Sequence, residues 1–100
     1  MDTINLVKEA IQNKKQVVIN YEANGQRLVL PAALYWHPTT GNLLVDGFQI
    51  EGFSVSGEIP AWKMFEVDKI IDINHTDNNF HGIIGYNPLS KRYSNSIAKL

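Results

Sequence analysis

The alternation of apolar and polar residues predicts one short helix followed by a series of β-strands. Apolar residues recur at three- and four-residue spacing from Ile4 to Ile11, which is typical of an amphipathic helix. Asp2 or Thr3 can cap its first turn, and Asn13 is its predicted last residue. We therefore expect a single helix, lying across the mouth or edge of a sheet.

Period-two alternation predicts three strands over residues 16–22, 26–37 and 42–50. Asn24-Gly25 can adopt the positive φ angles of a tight hairpin turn between the first two. Pro31 places the second strand at a sheet edge or requires a bulge or bend there. The apolar residues predicted to share one face of the second strand are Leu28, Leu30, Leu34 and Trp36.

The stretch Ala61 to Ile73 changes its pattern in the middle. Strict alternation would place Lys69 on the same face as Val67, where an unpaired ammonium is costly to bury. We therefore predict a bend at Asp68-Lys69 and a new strand from Ile70. Two short strands joined by a tight bend can close a small sheet on itself, so the predicted fold is an antiparallel β-barrel with one N-terminal helix.

The last twenty-one residues have a different composition, because residues 80–100 contain no acidic side chain. Their apolar positions recur every three or four residues, which predicts a short helix after Asn87-Pro88. These positions are Tyr86, Leu89, Tyr93 and Ile97. We divide the chain into a barrel with its helix at residues 1–79 and a C-terminal tail at residues 80–100, which packs on the barrel or on a partner.

The overall composition restricts the function classes. A chain of 100 residues forms one domain, and its net charge of −1 gives no general attraction to nucleic acid or to anionic membranes. It contains no cysteine, which excludes disulfides, thiolate metal sites and cysteine nucleophiles. Neither a signal peptide nor a membrane span is recognisable. We expect a cytoplasmic protein with no membrane partner.

Four segments in order resemble the WYL domain, a small Sm-like or SH3-like β-barrel. They are VVINYE at residues 17–22, RLVLPAAL at 27–34, GNLLVDG at 41–47 and WKMFEVDKI at 62–70. The signature that gives the family its name would fall at Leu43-Leu44-Val45, so this chain lacks the aromatic pair. Lys69 stands where the family usually has arginine.

Residues 47–57, GFQIEGFSVSG, look closer still to small stand-alone bacterial relatives of that domain, as do Phe80 and Tyr86-Asn87-Pro88. Those relatives are largely uncharacterised. WYL domains elsewhere are sensor modules, thought to bind nucleic acids or nucleotides and usually fused to a DNA-binding helix-turn-helix, for which this chain has no room. The resemblance implies a ligand-binding module.

The loop between Gly52 and Gly57 is the predicted binding site. Its backbone N–H groups and the hydroxyls of Ser54 and Ser56 could face an anion, although a simple flexible hairpin loop fits the same residues. Trp62, directly after the loop, could stack on a base, whereas aromatic residues of a small barrel more often fill its core. The predicted ligand-binding residues are Gln49, Gly52, Ser54, Ser56, Gly57, Trp62, Lys63 and Lys69.

A second basic patch is predicted in the tail, where Tyr86, Lys91 and Arg92 would form a surface without acidic neighbours if the tail folds beside the loop. No catalytic arrangement is recognisable. The three histidines lack the spacing of metal ligands, and no serine has the surroundings of a nucleophile. We predict neither enzymatic activity nor a cofactor.

Two functions remain open from the sequence. The first is a non-enzymatic module that senses or binds a small anionic ligand, a nucleotide or single-stranded nucleic acid. The alternative is a protein-interaction or oligomerisation module, in which edge strands and the amphipathic tail bind a partner or a second copy of the chain.

Overall fold

The computed structural model of the chain describes residues 2–22, 25–54 and 57–100, which form one α-helix and a six-stranded antiparallel sheet. Helix α1 spans Thr3–Asn13. The Asp2 carboxylate accepts a hydrogen bond from the backbone N–H of Asn5, so the predicted cap is confirmed. The helix ends where Lys14 adopts a left-handed conformation with φ of 52°. Within the described ranges no helical segment has the length and apolar character needed to cross a lipid bilayer.

The strands are β1 (Lys15–Tyr21), β2 (Gln26–Trp36), β3 (Leu43–Gly52), β4 (Ala61–Glu66), β5 (Ile70–Asn79) and β6 (Ser96–Lys99). Their order across the sheet is β4-β3-β2-β1-β5, and β6 pairs with β2 outside this path. The hairpin of β1 and β2 agrees with the prediction. Its predicted turn residue Asn24 lies outside the described residues.

The predicted closed barrel is wrong, because the described sheet is open. A barrel requires hydrogen bonds between the two end strands. Here the end strands β4 and β5 each pair with one inner strand, β3 and β1 respectively. Short alternating strands joined by a tight bend are common to open sheets and barrels, so this pattern did not distinguish between them.

The bend between β4 and β5 is confirmed. Residues Val67–Lys69 form a 3₁₀ turn, and β5 begins at Ile70. The turn keeps Lys69 at the surface, where its Nζ lies 2.7 Å from Glu66 Oε2 and 3.9 Å from Glu22 Oε2. The unfavourable burial of an unpaired ammonium is thereby avoided.

The predicted helix in the C-terminal tail is also wrong. The described tail contains a 3₁₀ turn at Lys91–Tyr93 and then strand β6. Strand β1 pairs with only the first part of β2, so residues 33–35 of β2 have an open edge, which β6 covers. Pairing there satisfies backbone N–H and C=O groups of two strands, whereas an isolated helix of this length is marginal.

The sheet has two covered faces, which we name by what covers them. Helix α1 packs on the helix face, whose core includes Val17, Val29, Leu34, Val45 and Phe65. The C-terminal segment, residues 80–95, lies over the other face of the sheet, which we call the segment face. There Tyr93 and Tyr86 pack on Ala33, Tyr35 and Leu44.

Strand β2 changes the side on which its residues lie. A bulge between Pro31 and Ala33 shifts the register and reverses the alternation, as the proline suggested. The prediction that Leu28, Leu30, Leu34 and Trp36 share one face is therefore wrong. Before the bulge, Arg27 and Val29 face the core and Leu28 and Leu30 are only partly buried.

Candidate functional site

A pocket of about 300 Å³ lies on the segment face, between strands β3 and β4 and the C-terminal segment. We call it the ring pocket because aromatic side chains form much of its wall. Its lining residues are Asp46, Trp62, Lys63, Met64, Gly85, Tyr86, Asn87, Ser90, Arg92 and Tyr93.

The register of β3 and β4 brings the floor of the ring pocket together. Asp46 lies opposite Met64, and Phe48 lies opposite Trp62. Because side chains alternate between the two faces of a strand, all four point to the segment face.

Asp46 is the hydrogen-bonding centre of this face, although only 4% of it is exposed. Its carboxylate accepts hydrogen bonds from the hydroxyls of Tyr35 at 2.8 Å and Tyr93 at 2.7 Å. Arg92 Nε lies 3.4 Å from the same carboxylate. A buried carboxylate is tolerated when such partners surround it. The contacts of Tyr93 and Arg92 fix the 3₁₀ turn of the C-terminal segment on the sheet, whereas that of Tyr35 joins β2 to β3.

This arrangement shifts the ionisation of three side chains. Burial raises the pKa of Tyr35 and of Tyr93 far above that of a free phenol, and the hydrogen bond to the Asp46 carboxylate raises each further. For Arg92, burial acts to lower the pKa, but Asp46 and the tyrosines outweigh it and the pKa is raised. Both phenols are therefore protonated, and the guanidinium charged, across the physiological pH range.

A row of rings forms the wall of the ring pocket. The centroids of Phe48 and Trp62 lie 5.8 Å apart, and those of Trp62 and Tyr86 lie 6.3 Å apart with planes inclined by 24°. Trp62 Nε1 donates a hydrogen bond to the carbonyl of Ile84 at 2.9 Å. At Gly85, with φ of 81°, a Cβ would lie 3.2 Å from that nitrogen, so glycine allows this close approach.

The predicted loop site is only partly assembled, and on the helix face. Gln49 Nε2 donates hydrogen bonds to the carbonyls of Glu51 and Phe53, and Lys63 Nζ donates to Ser54 Oγ at 3.0 Å. Gly52 and Gly57 have the positive φ angles expected of such a loop, 101° and 74°. Ser56 lies outside the described residues.

The remaining predicted site residues lie elsewhere. Trp62 and Lys63 are neighbours in β4, so their side chains start on opposite faces, although Lys63 also borders the ring pocket. Lys69 is engaged by Glu66 and Glu22 at the surface. In the tail, Tyr86 and Arg92 line the ring pocket, whereas Lys91 is exposed and outside it.

The tail patch does not lack acidic neighbours, because Asp46 of β3 lies beside Arg92. Sequence reasoning missed Asp46 altogether. A signal was present, since Asp46 interrupts the apolar strand sequence LLVDGF, and a carboxylate within a buried strand requires partners.

Among the residues that the structure describes, no group of three His, Asp or Glu side chains could hold a metal ion.

No family model matches the chain, and neither a curated protein nor a solved structure matches it. The resemblance to the WYL domain therefore stays a prediction.

Proposed function

We propose that this chain is a non-enzymatic binding module for a small anionic ligand that carries a planar ring, such as a mononucleotide. The observation that supports the proposal best is the ring pocket, in which Trp62 and Tyr86 lie beside the cationic side chains of Lys63 and Arg92. The predicted resemblance to WYL sensor domains points the same way.

The chemistry of the ring pocket suits such a ligand. A base or other planar ring would stack on Trp62 or Tyr86, and any base can do so because every base has a flat ring face. The Asp46 carboxylate forms an ion pair with Nε of Arg92, while 42% of the Arg92 side chain stays exposed. The guanidinium is thus oriented in advance. Its Nη2 contacts the weak acceptor Met64 Sδ, at 3.3 Å, which a phosphate or carboxylate would replace.

The size of the ring pocket restricts the ligand. Its volume of about 300 Å³ is at the lower end of the range for small-molecule sites. A single nucleotide is the appropriate size, and a longer single strand would place one nucleotide inside and the others over the surface.

Asp46 would not act as a catalytic base, because both of its oxygens already accept hydrogen bonds from tyrosines. We place this cysteine-free module in the cytoplasm.

Tryptophan fluorescence tests the proposal. The chain has two tryptophans, so a Trp36→Phe variant leaves Trp62 as the only reporter. We expect saturable quenching by mononucleotides, weakening as salt rises because charge contacts are screened. A short single-stranded oligonucleotide is titrated in parallel.

Two further variants locate the binding. Tyr86→Ala should weaken the affinity at least tenfold, whereas Leu89→Ala, on the same segment but 87% exposed, should leave it unchanged. If a folded sample shows no quenching with any of these ligands, the proposal is wrong.

Exposed apolar residues favour a second candidate, the protein-interaction or oligomerisation module. Ile84 is 79% exposed and Leu89 is 87% exposed, both on the C-terminal segment. Sedimentation of the parent chain and of an Ile84→Ser, Leu89→Ser variant tests self-association. This candidate predicts concentration-dependent oligomers that the double substitution abolishes, and a parent that stays monomeric would exclude self-association.

A further inference from the structure

Arg27 is a buried cation on the helix face, away from the ring pocket. Only 6% of it is exposed, and its guanidinium lies among three aromatic rings. The guanidinium carbon is 5.1 Å from the ring centroid of Tyr21, 5.6 Å from that of Phe53 and 5.7 Å from that of Phe65. Strand β2 places it there because, before the bulge, Arg27 and Val29 are the residues that face the core.

Nε of this guanidinium is fully buried and has no hydrogen-bond partner among the described residues. No carboxylate within those residues forms an ion pair with Arg27. Glu22 and Glu66, the acids nearest the hydroxyl end of Tyr21, are engaged by Lys69 instead.

A second unpartnered polar atom lies on the same face. Gln49 is completely buried, and its Oε1 accepts no hydrogen bond from any described residue. Gln49 pairs with Val29 in the β2-β3 ladder, two residues along β2 from Arg27. Arg27 and the unpartnered acceptor of Gln49 therefore lie on adjacent strands and face the same side of the sheet.

The three rings do not remove the cost of this arrangement. Cation–π contacts contribute about 0.5–2 kcal/mol each, but they leave the buried Nε–H of Arg27 without a hydrogen bond. A buried, unpaired charge is strongly unfavourable, and an apolar side chain of similar length would avoid the cost. The donors of a guanidinium form the planar set that binds a carboxylate or phosphate in a bidentate manner.

We propose that Arg27 anchors a second ligand site, one that takes the oxyanion group of a ligand, a phosphate or a carboxylate. Gln49 Oε1 accepts a hydrogen bond from a hydroxyl or protonated oxygen of the same ligand. Phe53 is 44% exposed, whereas Tyr21 and Phe65 are buried, so the anion enters on the side of Phe53. This site is on the opposite face from the ring pocket and does not depend on the function proposed for it.

Nuclear magnetic resonance of the ¹⁵N-labelled parent chain tests this inference directly. The chain contains two arginines, so it has two arginine Nε–H signals, and an Arg92→Lys variant identifies the one from Arg27. Inorganic phosphate and acetate are titrated separately at constant ionic strength with chloride. We expect the Arg27 signal to move saturably with one of them, which also tells phosphate from carboxylate preference. An Arg27 signal that responds to neither, or a response confined to Arg92, would overturn the inference.

Thermal unfolding supplies a second readout. At an anion concentration ten times its Kd, the unfolding midpoint of the parent should rise by about 7 °C. In Arg27→Met, which keeps the aliphatic stem but lacks the charge, the midpoint should not respond. Lys91→Met removes an exposed cation elsewhere and should respond like the parent. Equal responses of the parent and Arg27→Met contradict the site, and if that variant does not fold, the resonance experiment on the parent decides.

Discussion

The two faces of the sheet are covered in different ways. On the helix face, α1 adds Val7, Ala10 and Ile11 to a core of aliphatic and aromatic side chains. On the segment face, an irregular stretch of chain is attached to the sheet by the hydrogen bond of Tyr93 and the ion pair of Arg92 with Asp46, which also accepts a hydrogen bond from Tyr35 of β2. Apolar packing has little directional preference, whereas hydrogen bonds fix distances and angles.

This difference explains why the ring pocket lies on the segment face. A regular amphipathic helix fills the space above its face with side chains. The C-terminal segment packs on its face at Tyr93 and Tyr86 and contacts β4 through Ile84 and Arg92. The space between these contacts remains open as the pocket. The following substitutions test how strongly each face contributes to stability.

The largest loss of stability is expected on the helix face. Phe65 is 1% exposed and packs edge to face on Tyr21, with ring centroids 5.1 Å apart. Phe65→Ala should lower the free energy of unfolding by about 3–5 kcal/mol, because it removes a buried ring and leaves a cavity. Urea unfolding followed by circular dichroism measures the change. A loss below about 1 kcal/mol would show that this core is not the main source of stability.

A smaller loss is expected when the hydrogen-bonding centre of the segment face is removed. Asp46→Ala should cost about 2–3 kcal/mol, because two buried hydroxyls lose their acceptor while the partly exposed Arg92 can be hydrated again. The same urea experiment applies, with Asp77→Asn as the control because Asp77 is exposed. Equal stability of Asp46→Ala and the control would contradict the role of Asp46.

The dependence of stability on alkaline pH tests mainly the segment face, because the pKa of Tyr21 on the helix face is also raised but by less than those of Tyr35 and Tyr93. In the folded chain the pKa values of Tyr35 and Tyr93 lie above their ordinary value of 10.0, so the unfolded chain ionises first. Below pH 10 these two tyrosines should not change the free energy of unfolding. Above pH 10 that free energy should fall as the pH rises. Unfolding midpoints between pH 8 and 11 measure the effect. Tyr93→Phe should show a shallower fall, and an unchanged slope would contradict the assignment.

The smallest effect is expected at the exposed part of the C-terminal segment. Leu89→Ser should change the free energy of unfolding by less than about 0.5 kcal/mol, because the side chain is 87% exposed. Urea unfolding of this variant beside the parent provides the measurement. A clear loss that grows with protein concentration would instead reveal a contact between copies.

Features that depend on neighbouring residues could be predicted from the sequence. The cap at Asp2, the helix to Asn13 and the break before Ile70 follow from local spacing and from the cost of burying a charge. Closure of the sheet and strand β6 depend on which distant strands pair, and four residues of β6 are too few for an alternation signal.

The candidate site was harder to predict for a related reason. Trp62 and Lys63 are adjacent in sequence, and adjacency suggested one face, but a strand sends consecutive side chains to opposite faces. The partners of Trp62 instead come from Tyr86 and Arg92, whose positions depend on the route of the C-terminal segment over the sheet. The shared face predicted for Leu28, Leu30, Leu34 and Trp36 failed because the bulge after Pro31 reverses the alternation of β2.

The sharing of β2 between β1 and β6 has a consequence for synthesis on the ribosome. Residues 33–35 of β2 are translated more than sixty residues before their partners in β6. During that interval the edge of β2 is open, and it can pair with a strand of another nascent chain. Pairing with β6 closes this edge once β6 has been synthesised, so conditions that slow elongation should increase aggregation more than conditions that slow initiation.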